Sequence, residues 1–160
     1  MNKTKTVHID ELKYIPLRDL VLFVIGGDWG KVPTKNSAGY VEVKVVRGTD
    51  FKIWDEQRAQ SASIRMILES SLLKRKLEYG NIVVEISGGG PDQPVGRTII
   101  IDETALNEYL PLISSNFFRK ISISKNISPF YLYYFFQYAY KTGNYNGIQT
   151  ETTNLRNLQF

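Results

Sequence analysis

The stretch from Ile82 to Ile101 reads IVVEISGGGPDQPVGRTIII and consists of two apolar runs separated by a long polar loop. The first run ends at three consecutive glycines, and two prolines, an acid, an amide and an arginine follow before the second run begins. Runs rich in Val and Ile are typical of β-strands, and Gly and Pro restrict the backbone of the loop between them. We therefore predict strands at 82–86 and 97–101, joined as a hairpin whose long loop presents polar side chains outward.

The composition bounds the class of protein. The chain has 160 residues, of which 42% are hydrophobic and 22% charged, the size and balance of one soluble globular domain. It lacks the run of about 18 apolar residues that a membrane span needs, and its basic N-terminus is not followed by the apolar segment of a secretory signal. We expect a polar leader over residues 1–14, a single domain over residues 15–158 and a cytoplasmic location.

Two residue counts narrow the possible chemistry. Cysteine is absent, which excludes disulfides, thiolate metal sites and a cysteine nucleophile. The single histidine, His8, lies in the polar leader, so a histidine base or metal ligand would have to be this residue. We expect no metal and no cofactor. The net charge of +4 and the pI of about 9.2 fit a polyanionic partner, although a surplus of this size is common without one.

The remaining patterns predict a mixed α/β domain. Apolar residues at helical spacing with glycine beyond the C-terminus predict helices, and alternating β-branched runs predict strands. The predicted helices are 15–25, 69–79 and 128–143, and the further predicted strands are 40–46, 64–67 and 117–123. Residues 26–39 are predicted to form a long exposed loop, and residues 47–50 a turn.

The clearest predicted element is the aromatic helix. Ser128 is suited to the N-cap, Pro129 to the first helical position and Gly143 to the C-terminus. Its predicted apolar face consists of Leu132, Phe135, Phe136, Ala139 and Tyr140. Because this spacing favours burial, we predict a core helix and not a surface on which bases stack. The alternative, that the aromatic rings bind a partner protein, requires them to be exposed.

The motifs give little support to catalysis. A phosphate-binding loop, a dinucleotide loop or the similar loop for S-adenosylmethionine leads from a strand into a helix. Here the glycines at 88–90 lead through two prolines into a strand, and no lysine follows. The alternative is a Mg²⁺-dependent nuclease, because Asp28 followed by Glu42 and Lys44 on a predicted strand could hold a metal ion and orient a water. That pattern is short and arises by chance in most chains of this length.

Recognition by surface loops is the remaining class of function. Polar residues are concentrated in three connecting segments, which we place at 26–39, 87–97 and 141–156. Arginine pairs with guanine edges, Asn and Gln with adenine, Asp with the amino group of cytosine, and Lys with phosphate. Such segments could read a major groove, although Asn, Gln and Thr also occur in ordinary loops.

An ordered series of short motifs points to a family. In chain order they are VVRGTDF from Val45, LEYGNIVVEISGG from Leu77, PDQPVGR from Pro91, SNFFR from Ser115, GIQ from Gly147 and TTNLRNL from Thr152. Together with the aromatic helix, this series resembles the target recognition domain of the specificity subunit of bacterial type I restriction-modification enzymes. The resemblance covers roughly residues 15–158. Each motif is weak by itself, whereas the ordered set is specific.

The resemblance implies a DNA-reading domain with no catalysis of its own. In this family the domain reads one half of a split target in the major groove of double-stranded DNA. A methyltransferase subunit and a restriction-translocase subunit then methylate or cut. The implied α/β (α+β) fold is a curved, mostly antiparallel sheet with flanking helices. We expect this chain to lack the spacer helices and the second recognition domain of the family, because it ends about where a spacer helix would begin.

Eight side chains are candidates for contact with DNA. They are Lys31, Arg47, Asp92, Gln93, Arg97, Lys141, Gln149 and Thr150. The region of Asn154 and Arg156 lies near the position of the family's spacer helix, and we expect it to serve structure more than base reading.

Three of these candidates have structural alternatives. Arg47 could form a weak, exposed salt bridge with Asp50 across its own turn. Arg97 could pair with Glu85 across the hairpin. Asp92 could cap the turn beside the neighbouring proline.

Overall fold

The computed structural model describes residues 14–35, 38–88, 93–152 and 155–159. Its helices are α1 (Leu17–Leu20), α2 (Gly48–Phe51), α3 (Trp54–Gln57), α4 (Glu69–Arg75), α5 (Glu103–Leu106) and α6 (Pro129–Lys141), with a 3₁₀ turn at Asn146–Ile148. Its strands are β1 (Val21–Gly26), β2 (Tyr40–Val46), β3 (Ser63–Leu68), β4 (Ile82–Glu85), β5 (Ser87–Gly88), β6 (Thr98–Ile100), β7 (Leu112–Ser114), β8 (Phe118–Ile123), β9 (Gln149–Thr152) and β10 (Leu155–Leu158). The mixed α/β class and the mostly antiparallel pairing are confirmed, but the described strands form three sheets where one curved sheet was expected.

The predicted hairpin belongs to the largest sheet, where β4 is an inner strand and β6 forms one edge. This sheet has the strand order β1-β8-β4-β6, and every pairing in it is antiparallel. The predicted strands at 82–86, 97–101 and 117–123 are confirmed as β4, β6 and β8, with ends shifted by one residue.

Both faces of β4 and β6 are buried, because these strands are apolar at nearly every position, whereas β1 at the edge of the sheet is largely exposed. Val83, Ile99 and Phe118 point into one cluster, which also contains Trp54. Ile82, Val84 and Ile121 alternate with them and belong to a second cluster, which α6 covers. A sheet with helices or loops packed on both faces needs this continuous apolar pattern. The inner strand of the hairpin, β4, therefore contributes to both clusters.

The second sheet has the order β3-β2-β7. Its central strand, β2, has the predicted bounds, and β3 confirms the predicted strand at 64–67. β2 pairs antiparallel with β3 and parallel with β7. Val43, Val45, Ile67 and Ile113 form its buried cluster.

The third sheet was not predicted. β10 pairs with β5 on one side and with β9 on the other, both antiparallel. This small sheet joins the beginning of the Gly-Pro loop to the polar C-terminal segment.

The predicted helix at 15–25 is wrong over its second half. The helical part, α1, is a single turn, and from Val21 the chain continues as strand β1 paired with β8. Val21, Val24 and Ile25 are β-branched, which lowers their helix propensity, and they pair with β8 in an antiparallel ladder that is irregular between Val21 and Phe23. Leu17 and Leu20 pack against the cluster beneath α6.

Two other local predictions are corrected. The predicted helix at 69–79 ends at Arg75, because Leu77 is buried and donates its backbone N–H to the carbonyl of Leu112. Gly80, the residue after the predicted helix, is a turn residue with φ of +78°. The predicted turn at 47–50 contains the start of the one-turn helix α2, for which Arg47 occupies the N-cap position.

The ends of α6 match the prediction. Ser128 occupies the N-cap position, although its side chain makes no capping hydrogen bond, and Pro129 is the first helical residue. Gly143 has φ of +73°. The N–H of Gly143 bonds the carbonyl of Tyr140, and the N–H of Asn144 bonds that of Ala139. This is the Schellman arrangement, in which glycine lets the chain leave the helix.

The predicted burial of the aromatic residues of α6 is only half right. Leu132, Phe136 and Ala139 are buried against the four-stranded sheet. Phe135, which was expected on the buried face, is 51% exposed, and three tyrosines beside it are also exposed. In the described part of the chain, no helix is long and apolar enough to cross a membrane.

Candidate nucleic-acid interface

The first two polar segments begin at one end of the four-stranded sheet, and the third reaches the same end through β10. At this end Gly26 of β1 pairs with Arg119 of β8, and Glu85 of β4 pairs with Phe118. The N–H groups of Ile86 and Ser87 bond the carbonyl of Phe117, and Leu158 of β10 donates to Ile86. Because the strands are antiparallel, the segments after β1, between β4 and β6, and around β10 all meet here.

The Gly-Pro loop is held against the C-terminal segment. Gly88 pairs with Arg156 in the small third sheet. At the other end of the loop, the amide of Gln149 contacts the backbone N–H and carbonyl of Val95, each at 3.4 Å. The hydroxyl of Tyr140 donates to the carbonyl of Pro94 at 3.2 Å. The second and third polar segments therefore form one surface.

The exit of the loop requires glycine. Gly96 has φ of +113°, and a Cβ there would lie 2.4 Å from the ring of Tyr145. Tyr145 is itself buried, so the ring is a fixed wall for the backbone. The close approach of the Gly96 backbone to the Tyr145 ring brings Val95 beside Gln149.

Polar groups of the C-terminal segment line a surface cavity of about 330 Å³. Its lining residues are Asn146, Gln149, Thr150 and Arg156. Amide, hydroxyl and guanidinium groups are the ones that hydrogen-bond to base edges and phosphates. Gln149 and Thr150 were predicted as DNA contacts, whereas Arg156 was expected to serve structure.

Arg97 is engaged in the pair that the sequence analysis gave as its alternative. Its Nη2 and Nε donate to the carboxylate of Glu85 at 2.6 and 2.8 Å, and its Nη1 donates to the carbonyl of Gly48 at 3.2 Å. The hydrogen bond with Glu85 raises the pKa of Arg97 above its usual value. Glu85 is almost fully buried. Because Arg97 also bonds Gly48, the first residue of α2, the pair joins the base of the loop to that helix.

Arg47 also forms its alternative pair, but that pair is not the weak, exposed one expected. Its guanidinium donates to Asp50 at 3.1 and 3.2 Å and to the carbonyl of Ser61 at 2.9 Å. Asp50 is 1% exposed and accepts a further hydrogen bond from the hydroxyl of Ser61. The cluster fixes the start of α2.

The other candidates lie in different surroundings. Lys31 is exposed, bridges to Met66 of β3, and has its ammonium 3.4 Å from the ring centroid of Tyr40. Lys141 is exposed at the last position of α6. With its amide oxygen turned toward Arg97, Gln93 accepts from the guanidinium at 3.2 and 3.3 Å.

Asp92 lies outside the described residues, so its expected role and its alternative as a turn cap both stay predictions.

The arrangement of Asp28, Glu42 and Lys44 does not favour the nuclease alternative. The carboxylate of Asp28 accepts from the N–H of Gly30 at 2.9 Å and the hydroxyl of Ser71 at 2.8 Å. Lys44 is buried and its ammonium lies 2.7 Å from Glu108. Glu42 is exposed to solvent. Among the described residues, no group of three or more His, Asp or Glu could hold a metal ion.

The role of the C-terminal hairpin could have been found in the sequence. Polar and apolar residues alternate over Leu155–Leu158, and the preceding run is rich in β-branched threonine. A short break containing asparagine, which is common in turns, separates the two runs. That signal would have placed Gln149 and Arg156 on neighbouring strands.

Neither a model of a known protein family nor a curated protein sequence matches this chain.

Proposed function

We propose that this chain is a sequence-specific DNA-binding domain, a target recognition domain of a type I restriction-modification specificity subunit. It reads double-stranded DNA from the major groove, and partner methyltransferase and restriction-translocase subunits carry out methylation and cleavage. The observation that carries the proposal is the joining of the Gly-Pro loop and the C-terminal hairpin into one polar surface. The resemblance of the ordered motif series supports the choice of family.

The contacts divide the candidate residues into two groups. Arg47 and Arg97 hold the loops in position through Asp50 and Glu85. Gln149 and Thr150 line the cavity and face solvent at least in part, which suits base reading. Exposed Lys141 suits contact with phosphate.

The first test is selection of duplexes from a randomised pool with the full chain, followed by fluorescence anisotropy. We expect a single domain to bind its selected duplex weakly, with Kd on the order of micromolar or above and a steep dependence on salt. A scrambled duplex should bind more weakly still. No enrichment of any sequence, or binding that does not respond to salt, would contradict the proposal.

Variants separate base reading from general attraction. Gln149→Ala and Thr150→Ala should each reduce the preference for the selected duplex by roughly fivefold to a hundredfold. Lys141→Ala should weaken binding to all duplexes alike and lower the salt slope by about one. Gln57→Ala is the matched control, because Gln57 is an exposed glutamine of α3. An equal effect of Gln57→Ala would show that the changes are not specific to the interface.

The link to partner subunits needs a test in cells. The methylome of the source bacterium should contain a split, bipartite adenine-methylation motif that disappears when the parent gene is deleted. An unchanged methylome in cells that express the system would contradict the assignment to a restriction-modification enzyme, even if the chain binds DNA.

A further inference from the structure

The outer face of α6 carries four exposed aromatic rings. Tyr131, Tyr134, Phe135 and Tyr138 are 63%, 66%, 51% and 63% exposed, respectively. Their spacing of i, i+3, i+4 and i+7 places them on one side of the helix. The opposite side, with Leu132 and Phe136, packs against the four-stranded sheet. We call the four exposed rings the aromatic stripe.

The aromatic stripe is large for a surface that meets only water. An aromatic side chain offers about 150–250 Å², so four rings exposed by one half to two thirds present roughly 450 Å². Patches of this size on soluble proteins commonly mark an interaction site.

The charges around the aromatic stripe favour an apolar partner. Lys141, at the last position, is the one charged residue of α6. A platform for stacking single-stranded nucleic acid also needs a cationic groove for the backbone. This helix does not supply one.

We propose that the aromatic stripe is the interface between two copies of this chain, packed as antiparallel α6 helices about a two-fold axis. The spacing of three, one and three residues is the same when read from either end of the helix. A two-fold rotation therefore brings Tyr131 opposite Tyr138 of the second copy, and Tyr134 opposite Phe135 of the second copy. Such self-complementarity is the property that an isologous interface requires.

The antiparallel arrangement also separates the like charges. Lys141 lies about 10 Å along the axis from the centre of the aromatic stripe, at 1.5 Å per residue, so the two lysines of a pair are about 20 Å apart. That separation exceeds the Debye length of about 8 Å at physiological salt. Two aromatic stripes together would bury roughly 900 Å², which is below the range of about 1,200–2,000 Å² for stable interfaces and typical of a weak, transient one. The dimer should therefore be reversible, with Kd in the micromolar range or weaker.

Sedimentation equilibrium of the full chain tests this proposal. As the concentration rises from about 1 to about 500 μM, a range that brackets such a Kd, the average mass should rise from 18.3 kDa toward twice that value. An acidic variant, Tyr131→Glu with Tyr138→Glu, and a basic variant, Tyr131→Lys with Tyr138→Lys, should each dimerise at least tenfold more weakly. An equimolar mixture of the two should recover the dimer.

Two outcomes would overturn the proposal directly: a wild-type mass that stays at 18.3 kDa at the highest concentration, or a mixture that remains as monomeric as its components. Circular dichroism checks that the variants fold, which is expected because the altered side chains are exposed.

Separate variants test the orientation of the two α6 helices and the location of the dimer interface. The variant Tyr131→Glu with Tyr138→Lys places opposite charges together in an antiparallel pair and like charges together in a parallel one. Retention of the dimer supports the antiparallel arrangement, and its loss overturns it.

Leu22→Lys alters a 68% exposed apolar residue of β1, the last strand of its sheet. If Leu22→Lys abolishes the dimer and the α6 variants do not, the interface is the sheet edge and the proposal is wrong.

Discussion

Arg97 shows at the scale of one residue how the Gly-Pro loop is held. Its guanidinium bonds Glu85 and the carbonyl of Gly48, and it lies 5.6 Å from the ring centroid of Phe51. The pair is shielded from solvent, with side-chain exposures of 17% and 3%. In such surroundings an unpaired carboxylate is costly, so the two charges depend on each other.

Removing either member of this pair should destabilise the fold. Arg97→Ala leaves the buried carboxylate of Glu85 without a partner, and we expect a loss of about 3 kcal/mol in the free energy of unfolding. Arg18→Ala is the control, because the Arg18–Asp19 pair is exposed and such pairs contribute about 0–1 kcal/mol. Urea denaturation measures both. Equal small losses in the two variants would show that the Arg97–Glu85 pair is not structurally important.

Tyr145 is a second residue whose surroundings lead to a prediction. Its ring is buried against Gly96, and its hydroxyl has no hydrogen-bond partner among the described residues. A buried, unsatisfied hydroxyl is unfavourable. We therefore expect Tyr145→Phe to leave the free energy of unfolding unchanged or to raise it by about 1 kcal/mol. A clear loss of stability in urea denaturation would mean that the hydroxyl does have a partner.

The same residue predicts a response to alkaline pH. Burial raises the pKa of Tyr145 from 10.0 to about 12. Between these values the unfolded chain ionises the phenol and the folded chain does not. The stabilisation that the neutral, buried phenol gives the folded state is thus present in full below pH 10 and is lost as the pH rises toward 12. Denaturation at several pH values should show wild type losing about 2–3 kcal/mol more than Tyr145→Phe across this window. Tyr109→Phe, at an exposed tyrosine, is the control and should lose as much as wild type.

At the scale of elements, the candidate interface depends on how the Gly-Pro loop is seated on the C-terminal hairpin. The loop begins in the third sheet, where Gly88 pairs with Arg156, and ends at Gly96 over the ring of Tyr145. Gln149 is fixed between these points by its contacts with Val95. The position of the Gln149 amide therefore depends on both the Gly-Pro loop and the C-terminal hairpin.

Gly96→Ala tests this dependence. Its Cβ would collide with the ring of Tyr145 at 2.4 Å, and its φ of +113° is strained for alanine. We expect a loss of about 2–4 kcal/mol in the free energy of unfolding, together with weaker discrimination between DNA duplexes. Gly39→Ala is the matched control, because Gly39 also has a positive φ but nothing lies within 4 Å of a Cβ there. If both variants lose the same amount, the backbone strain alone is responsible and the contact with Tyr145 is not needed.

The elements also show what the sequence could predict. β2 and β4 were found because their apolar pattern is strong and local, and α6 because proline and glycine mark its ends. β1 was missed because a short apolar segment such as VLFVI fits a buried helix or a strand equally well, and its pairing with β8 is made by residues about 100 positions later.

The salt bridges of Arg97 and Arg47 were predicted only as alternatives, because the residue type does not reveal the partner. The exposed side of α6 could not be predicted, since tyrosine and phenylalanine are spaced alike on both of its faces.

At the scale of the whole molecule, one sheet separates the two main clusters of the core. Trp54, Val83 and Phe118 lie on one side, and Leu132 and Phe136 lie under α6 on the other. Neighbouring residues of β4 point into different clusters, so neither cluster can pack unless this strand is in place. We therefore expect the described domain to unfold in a single cooperative transition.

The fluorescence of Trp54 can test this coupling across the sheet. In a Trp29→Phe background, which removes the half-exposed tryptophan, Trp54 reports the cluster opposite α6. Leu132→Ala creates a cavity beneath α6 and should lower the free energy of unfolding by about 2–5 kcal/mol. Because the transition is cooperative, the urea midpoint seen by Trp54 should fall as far as the midpoint seen by far-ultraviolet circular dichroism. Leu73→Ala, at an 82% exposed leucine, is the control and should leave both midpoints nearly unchanged. If Leu132→Ala shifts the circular dichroism midpoint alone, the two faces of the sheet unfold separately and the coupling through β4 is weaker than its packing implies.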